Sequence, residues 1–330
     1  MEMDESLFYI QLRSPSEYDY INGRVKILET YLFSREELQR MACLSSSELI
    51  NEFLNSHYKE YIPGKDFLSI LKGISEYYFR TLVEMEKFVS PGFINSFFRS
   101  KEVFLKLKKF AVKERDEVKS SFDNNLWAFI QSDVKGKYPE IFRVVYKKLR
   151  DNRLNPFKLN SYVDMYYIQF LLSSARKTES DFINRYYGIF AILNTELILQ
   201  RLLWFIKQNV IGEAVFNEVV FVMREVLHNQ DSLRKILSVK GSEDFEEFLR
   251  NEKMFYGVNE MFKTQPNVFI MRKLENYLDN GKFMIVGIEP VFIYLSKLSL
   301  ELEVLKKLLY AKDINLESQE ILKTLGLNYE

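Results

Sequence analysis

The chain has 330 residues, 47% of them apolar, and its 46 basic and 46 acidic side chains give a formal net charge of zero. This balance argues against a nucleic-acid-binding protein, which usually carries an excess of basic residues to neutralise phosphates. The length and apolar content are ample for buried cores and exclude a disordered, highly charged tail.

Helix start signals are legible near the N-terminus. Ser34 and Ser45 are each followed three residues later by a glutamate, Glu37 and Glu48. This S-x-x-E spacing is that of a capping box, in which the serine side chain accepts from the amide of the glutamate and the glutamate side chain accepts from the amide of the serine. Glycine and proline are scarce, at 12 and 7 residues, and short alternating strand patterns are nearly absent. The sequence therefore predicts an all-α fold.

The most apolar stretch, residues 186–210, contains the charged residues Glu196, Arg201 and Lys207. These charges predict a buried core helix rather than one that spans a membrane. The first 20 residues are acidic and lack an apolar segment, so we expect no secretory signal. Cys43 is the only cysteine, which excludes an internal disulfide and fits a reducing compartment.

The longest C-terminal helix begins in the segment VGIEPVFIYL, residues 286–295. Pro290 lacks an N–H group and suits a first helical turn, and Gly287 turns the chain just before it. Apolar residues then recur at positions 291, 295, 298, 302, 305 and 309. This alternation of four and three places them on one helix face. We expect the helix to run to about Ala311 and Asn315 to open a short final helix.

Three stretches share a pattern in which a glycine opens a long apolar helix. The glycines are Gly92, Gly188 and Gly287, and each is followed by a glutamate near the middle of the helix, at positions 102, 196 and 301. A true triplication predicts three helical domains of roughly 100 residues, at 1–113, 114–212 and 213–330. Long amphipathic helices resemble one another, so the pattern can also arise without repetition.

The sequence shows no constellation of residues that indicates catalysis or ligand binding. The P-loop pattern and the G-x-G-x-x-G pattern are absent, so we expect no nucleotide cofactor. Cys43 and the two histidines, His57 and His228, are too few for a Cys/His metal site without several carboxylates. Nothing favours a catalytic pair of Cys43 with either histidine. We therefore expect no catalytic residue, cofactor or metal, and the profile favours a scaffold or coupling protein.

Two terminal stretches carry a family resemblance. The stretch YINGRVKIL, residues 20–28, resembles the Y-x-N-A-R-V opening of the C-type subunit family of archaeal and bacterial V-type (A-type) ATPases, whose eukaryotic counterpart is the d-type subunit of the V-ATPase. From Gly287 onward the chain resembles the closing region of that family, where a glycine and E-P-V precede an apolar helix. Gly23 replaces the usual alanine, and the usual asparagine and arginine of the closing helix fall on Val304 and Lys306.

This resemblance implies a non-catalytic rotor component. Members of the family are funnels of three similar helical domains around a pseudo-threefold axis. They link the central-stalk subunits of the D and F type to the membrane proteolipid ring and transmit rotation, which couples proton or sodium transport to ATP hydrolysis or synthesis. The chain would then lie on the cytoplasmic face of the membrane, held there by its partners, without binding nucleotide or nucleic acid itself.

The N-terminal motif supplies the candidate partner-binding residues Tyr20, Asn22 and Arg24, which match the family pattern. The alternative role for these residues is to pack the first helix, with Arg24 satisfying a local carbonyl or carboxylate group. The alternative function for the whole chain is a helical adaptor or scaffold of another soluble complex, which would share the architecture only. An enzyme with an unrecognised carboxylate or aromatic site is the least favoured hypothesis.

Overall fold

The structure is a computed structural model that describes residues 9–113, 156–227, 233–251 and 265–327. Every regular element within these ranges is helical, which confirms the predicted all-α class. The α-helices described up to residue 176 are α1 (Asp19–Glu29), α2 (Arg35–Cys43), α3 (Ser46–Asn55), α4 (Phe67–Met85), α5 (Pro91–Ile94), α6 (Ser100–Lys113) and α7 (Pro156–Arg176). The later ones are α8 (Asp181–Lys207), α9 (Glu213–Leu227), α10 (Arg234–Leu237), α11 (Ser242–Asn251), α12 (Pro266–Asp279), α13 (Glu289–Asp313) and α14 (Ser318–Leu325). Short 3-10 helices lie at Pro15–Tyr18 and Lys59–Tyr61, and a π-helix at Asn95–Arg99 joins α5 to α6.

The described helices group into two compact units. Unit 1 includes the described residues within 1–12 and 90–259, and unit 2 includes those within 13–89 and 260–330. Helices α5 to α11 therefore belong to unit 1, whereas α1 to α4 and α12 to α14 belong to unit 2. The division into domains at 1–113, 114–212 and 213–330 stays a prediction, because residues 114–155 lie outside the described ranges.

Helix α13 is central to unit 2 and packs against α1, α4, α12 and α14. The predicted apolar face is confirmed, since positions 291, 295, 298, 302, 305 and 309 are all buried. Burial extends further than predicted, because Phe292, Ile293 and Tyr294 are buried as well. A helix that is covered on all sides needs apolar residues around its whole circumference, and the first turns of α13 provide them.

The start signals of α2 and α3 are confirmed. The Glu37 N–H group donates to Ser34 Oγ at 3.2 Å, and the Ser34 N–H group donates to Glu37 Oε2 at 2.7 Å. Ser45 and Glu48 form the same reciprocal pair. These bonds satisfy amides that a helix leaves without internal partners. Pro290 lies in the first turn of α13, as predicted.

Two predicted helix starts are wrong. Gly188 lies well inside α8, which begins at Asp181 and is capped by the side chain of Ser180. Asn315 occupies a turn with a φ of 56°, and α14 begins only at Ser318. The prediction at Gly188 overlooked the cap at Ser180, and Asn315 has a cap-like side chain but a left-handed backbone that continues the turn before α14.

The glutamates of the proposed repeat differ in their surroundings. Glu196 and Glu301 are buried, at 1% and 6% exposure, whereas Glu102 is exposed in the first turn of α6. A repeated structural role for the glutamate therefore holds for two of the three positions at most. The triplication itself stays a prediction.

The long helix α8 packs against α7 and α9 in unit 1. Its most apolar 18-residue window has a mean hydropathy of 1.5, so in length and composition this one helix among the described residues could cross a membrane. Half of that window is buried inside the protein, and a long core helix has the same composition. The predicted absence of a membrane-spanning helix is neither confirmed nor overturned by this observation.

Candidate functional site

The motif YINGRVKIL forms most of α1, and its three candidate residues contact three different parts of unit 2. The Tyr20 ring lies 5.4 Å from the ring of Phe88, which follows α4. Arg24 reaches Glu84 on α4 itself. Asn22 bonds to the turn that precedes α13. The motif therefore fixes α1 against the two longest helices of its unit.

Asn22 makes the most buried of these contacts, with 3% of its surface exposed. Its side-chain nitrogen donates to the carbonyl oxygens of Ile285, at 3.2 Å, and Gly287, at 3.0 Å. An amide nitrogen carries two hydrogens, so both are used here. Asn22 thereby joins the N-terminal motif to the C-terminal motif, the two stretches that carry the family resemblance.

Gly287 has a φ of 81°, in the left-handed region that residues with a Cβ atom avoid. A Cβ atom at this position would lie 2.5 Å from Glu289 Oε2. The turn at Gly287 presents its carbonyl oxygen to Asn22 and directs the chain into Pro290 and α13. The backbone conformation therefore favours glycine here, whereas the Glu289 carboxylate lies at the end of a flexible side chain and can move aside.

Arg24 and Glu84 form an ion pair in which Nη2 and Oε1 are 2.6 Å apart. Both side chains are 36% exposed, so solvent screens the pair, and such pairs contribute about 0–1 kcal/mol to stability. The structure therefore contains a local carboxylate partner for Arg24, as the packing role describes. A role of Tyr20, Asn22 and Arg24 in partner binding stays a prediction.

Exposed apolar side chains lie on α1 and in the neighbouring segment between α12 and α13, and the name α1 surface is used here for this set. It comprises the side chains of Tyr20 and Ile27 on α1 and of Phe283, Ile285 and Val286 in the segment between α12 and α13. Phe283 is 81% exposed and Tyr20 is 68% exposed. The segment runs beside α1, because the Lys26 side chain also donates to the carbonyl oxygen of Lys282. Gly23 adds an open position, since no atom lies within 4 Å of a Cβ built there.

The chemistry of the α1 surface suits association rather than bond making. Exposed aromatic and aliphatic side chains near one another on a surface are common where a protein binds another macromolecule. Within the described ranges, no group of three or more His, Cys, Asp or Glu residues is placed to hold a metal ion. Cys43 is exposed at the end of α2, His57 packs against Tyr58, and His228 lies outside the described residues.

No protein-family model matches the chain, and no curated protein sequence matches it significantly. The resemblance therefore rests on the two terminal motifs and on the contact between them.

Sequence reasoning missed two partners of α1 and part of the α1 surface. The partners Glu84 and Phe88 carry no motif, and only the fold brings them to α1. Phe283, Ile285 and Val286 read as a continuation of a buried apolar run, because sequence shows apolar character but not exposure. The usable signal is Asn280-Gly281 just before them, since this dipeptide favours a turn and places the following residues at the surface.

Proposed function

We propose that the chain is a non-catalytic central-stalk component of a V-type or A-type rotary ATPase. In this proposal it links stalk subunits of the D and F type to the membrane proteolipid ring and transmits rotation between them. It would lie on the cytoplasmic face of the membrane, held by its partners. The three similar helical domains around a pseudo-threefold axis, which the family has, belong to the same proposal.

One observation supports this proposal above the others: the two family-like motifs meet. The Asn22 side chain bonds to the carbonyl oxygen of Gly287, so the asparagine of one motif holds the glycine of the other. The all-helical architecture agrees with the resemblance, but many unrelated proteins share it.

The α1 surface adds a physical argument for a partner. Phe283, Ile285 and Tyr20 expose apolar area that folding of unit 2 leaves uncovered. Covering apolar surface with another protein is favourable by about 25 cal/mol per Å² removed from water, before the costs of association. A rotor component that is rigidly clamped between neighbours would present surfaces of this kind.

The test is co-purification of the full-length chain with the stalk subunits and, separately, with the detergent-solubilised proteolipid ring. We expect stable association with both. The double variant Phe283→Ser/Ile285→Ser should lose one of the two associations. Tyr310→Ser is the matched control, because Tyr310 is 65% exposed on α13 but lies outside the α1 surface.

No stable association of the unaltered chain with either partner would contradict the proposal. Association with another soluble complex, together with indifference to the ring, would favour the helical adaptor instead. If both variants bind like the unaltered chain, the rotor proposal stands but the α1 surface is not its interface.

A further inference from the structure

Glu301 is a carboxyl group buried midway along α13, with 6% of its surface exposed. Its Oε1 atom accepts a hydrogen bond from the Tyr58 hydroxyl at 2.5 Å, and its Oε2 atom accepts one from the Phe33 N–H group at 2.7 Å. Both donors are neutral groups. A carboxylate taken out of water is costly unless it is well paired, and binding a proton is the other way to remove that cost.

Further tyrosine hydroxyls lie around Glu301, and His57 lies on the side of Tyr58. The Tyr77 and Tyr294 hydroxyls lie 3.4 Å apart, and the His57 ring lies 3.9 Å from the Tyr58 ring. The titratable groups that interact with Glu301 are Glu37 on α2, Tyr58 after α3, Tyr77 on α4 and Tyr294 on α13, and His57 packs against Tyr58. Elsewhere on the neighbouring helices, Glu29 of α1 pairs with Lys26, and Asp279 of α12 pairs with Lys297.

The bond to Phe33 connects Glu301 to a surface turn. Residues 30–34 join α1 to α2, and Tyr31 within them is 49% exposed. The N–H groups of Tyr31 and Leu32 donate back to α1, to the carbonyl oxygens of Leu28 and Glu29. The Phe33 N–H group instead reaches across to α13. The Glu301 carboxyl group therefore fastens this turn to the central helix.

Burial raises the pKa of Glu301 from 4.5 to about 7, although the hydrogen bonds from Tyr58 and Phe33 each lower it in part. If the turn opened, water would reach the carboxyl group and its pKa would return towards the ordinary value. The closed turn thus binds the proton more tightly than the open turn does. By linkage, loss of the proton favours opening.

We propose that Glu301 and the turn at residues 30–34 form a proton-controlled latch: with a proton on the carboxyl group the turn is held against α13, and loss of that proton to water releases it. The Phe33 N–H group can only donate, so the bound proton belongs on Oε1. The Glu301 hydroxyl then donates to Tyr58 Oη, which reverses the hydrogen bond of the ionised form. The proton exchanged with solvent is the only atom gained or lost.

The latch is a property of unit 2 alone and does not depend on the rotor function. It bears on the α1 surface, because α1 is fastened to α13 near both ends. Asn22 holds the first end at Gly287, and Phe33 holds the second end at Glu301. Release at Phe33 would free the turn after α1, whereas the helix itself would stay in place through Asn22, Arg24 and Lys26.

The first measurement is a carbon-13 NMR titration of the full-length chain with labelled glutamate carboxyl groups. The Glu301 signal is assigned as the one missing in Glu301→Gln. The second measurement is amide hydrogen exchange at Phe33, at pH 6 and pH 8, corrected for the intrinsic pH dependence of exchange. We expect the Glu301 signal to titrate near neutral pH and the Phe33 protection to be about tenfold lower at pH 8.

In Glu301→Gln, which cannot ionise, protection at Phe33 should be equal at the two pH values. Glu320→Gln is the matched control, since Glu320 is exposed on α14, and it should behave like the unaltered chain.

Tyr58→Phe keeps Glu301 but removes a hydrogen bond that favours the ionised carboxylate, so the titration of Glu301 should move to higher pH. This measurement serves if Glu301→Gln fails to fold. Titration of Glu301 near pH 4.5 in the folded chain, or equal Phe33 protection at pH 6 and 8, would overturn the latch.

Discussion

Asn22 and Gly287 are 265 positions apart in the sequence and are joined by a 3.0 Å hydrogen bond. The bond lies at the N-terminal ends of both α1 and α13. Further along, Phe33 in the turn that follows α1 is bonded to Glu301 on α13, and the stretch of α13 up to this point is about 20 Å long. The two helices therefore run side by side in the same direction, with α1 fastened near each end.

Replacing Asn22 by alanine should destabilise unit 2 by about 2 kcal/mol. Two hydrogen bonds are lost, and two partly buried carbonyl groups lose a donor, at a cost of about 1 kcal/mol each. The loss in free energy of unfolding is measured by urea unfolding, with amide hydrogen exchange of α13 peptides as the probe. Asn55→Ala is the control, because Asn55 is exposed at the end of α3. Equal stability of the Asn22 and Asn55 variants would show that the motif asparagine does not hold α13.

Two glycines in the motifs should respond to alanine in opposite directions. Gly23 is exposed within α1 and has open space where a Cβ would lie, so Gly23→Ala should stabilise the helix by about 0.5–1 kcal/mol. Gly287→Ala should destabilise by about 1–2 kcal/mol, because φ is 81° and the Cβ would meet Glu289. Parallel thermal unfolding of the two variants checks both signs, and a stabilising Gly287→Ala would contradict the strained turn.

Some features of unit 2 could be predicted from the sequence, and others could not. The capping boxes at Ser34 and Ser45 and the start at Pro290 are local, since each depends on neighbours within a few residues, and they were predictable. The contact of Asn22 with Gly287 depends on packing of distant segments. No local pattern encodes it, although the family resemblance named both residues.

The burial of Glu301 also escaped prediction. The stripe from Val291 to Leu309 shows one apolar face of α13, and Glu301 lies off that stripe, where sequence suggests solvent. In the folded unit α13 is covered on its other sides by neighbouring helices, so an off-stripe carboxyl group becomes buried. Periodicity shows which face is most apolar, but the number of partners around a helix is a tertiary property.

The ion pair of Arg24 and Glu84 allows the interface role of Arg24 to be separated from its local role. Arg24→Glu places two acids together and should weaken partner association if Arg24 contacts a partner, whereas unchanged association of a folded Arg24→Glu chain would end the interface role. A weakened association still needs the double variant, because local repulsion can also disturb α1. The double variant Arg24→Glu/Glu84→Arg restores the pair with reversed charges at little cost in stability, about 0–1 kcal/mol. If Arg24 contacts a partner, pull-down should stay weak in the double variant. Recovery to the unaltered level would assign Arg24 a local role only.

Glu301 should make unit 2 less stable as the pH rises. Its pKa is about 7 in the folded chain against 4.5 ordinarily, so the cost of ionisation is absent below about pH 4.5 and complete above about pH 7. The full cost is about 3 kcal/mol. We expect the stability difference between the unaltered chain and Glu301→Gln to shift by this amount between pH 4.5 and pH 8, in favour of the variant. Hydrogen exchange of α12 and α13 peptides measures it, and a constant difference would contradict the burial of the carboxyl group.

His57 should act in the opposite direction over nearly the same range. Burial lowers the pKa of His57 from 6.5 to about 4, so the folded chain holds the imidazole neutral. Its contribution to stability is fully present above about pH 6.5 and is lost as the pH falls to about 4.

His57→Gln should therefore lose less stability on acidification than the unaltered chain. Glu301→Gln should lose more, because only the histidine contribution varies with pH in that variant. The double variant His57→Gln/Glu301→Gln should have the flattest profile of the four. If acidification affects His57→Gln and the unaltered chain equally, His57 takes up its proton without opening the core.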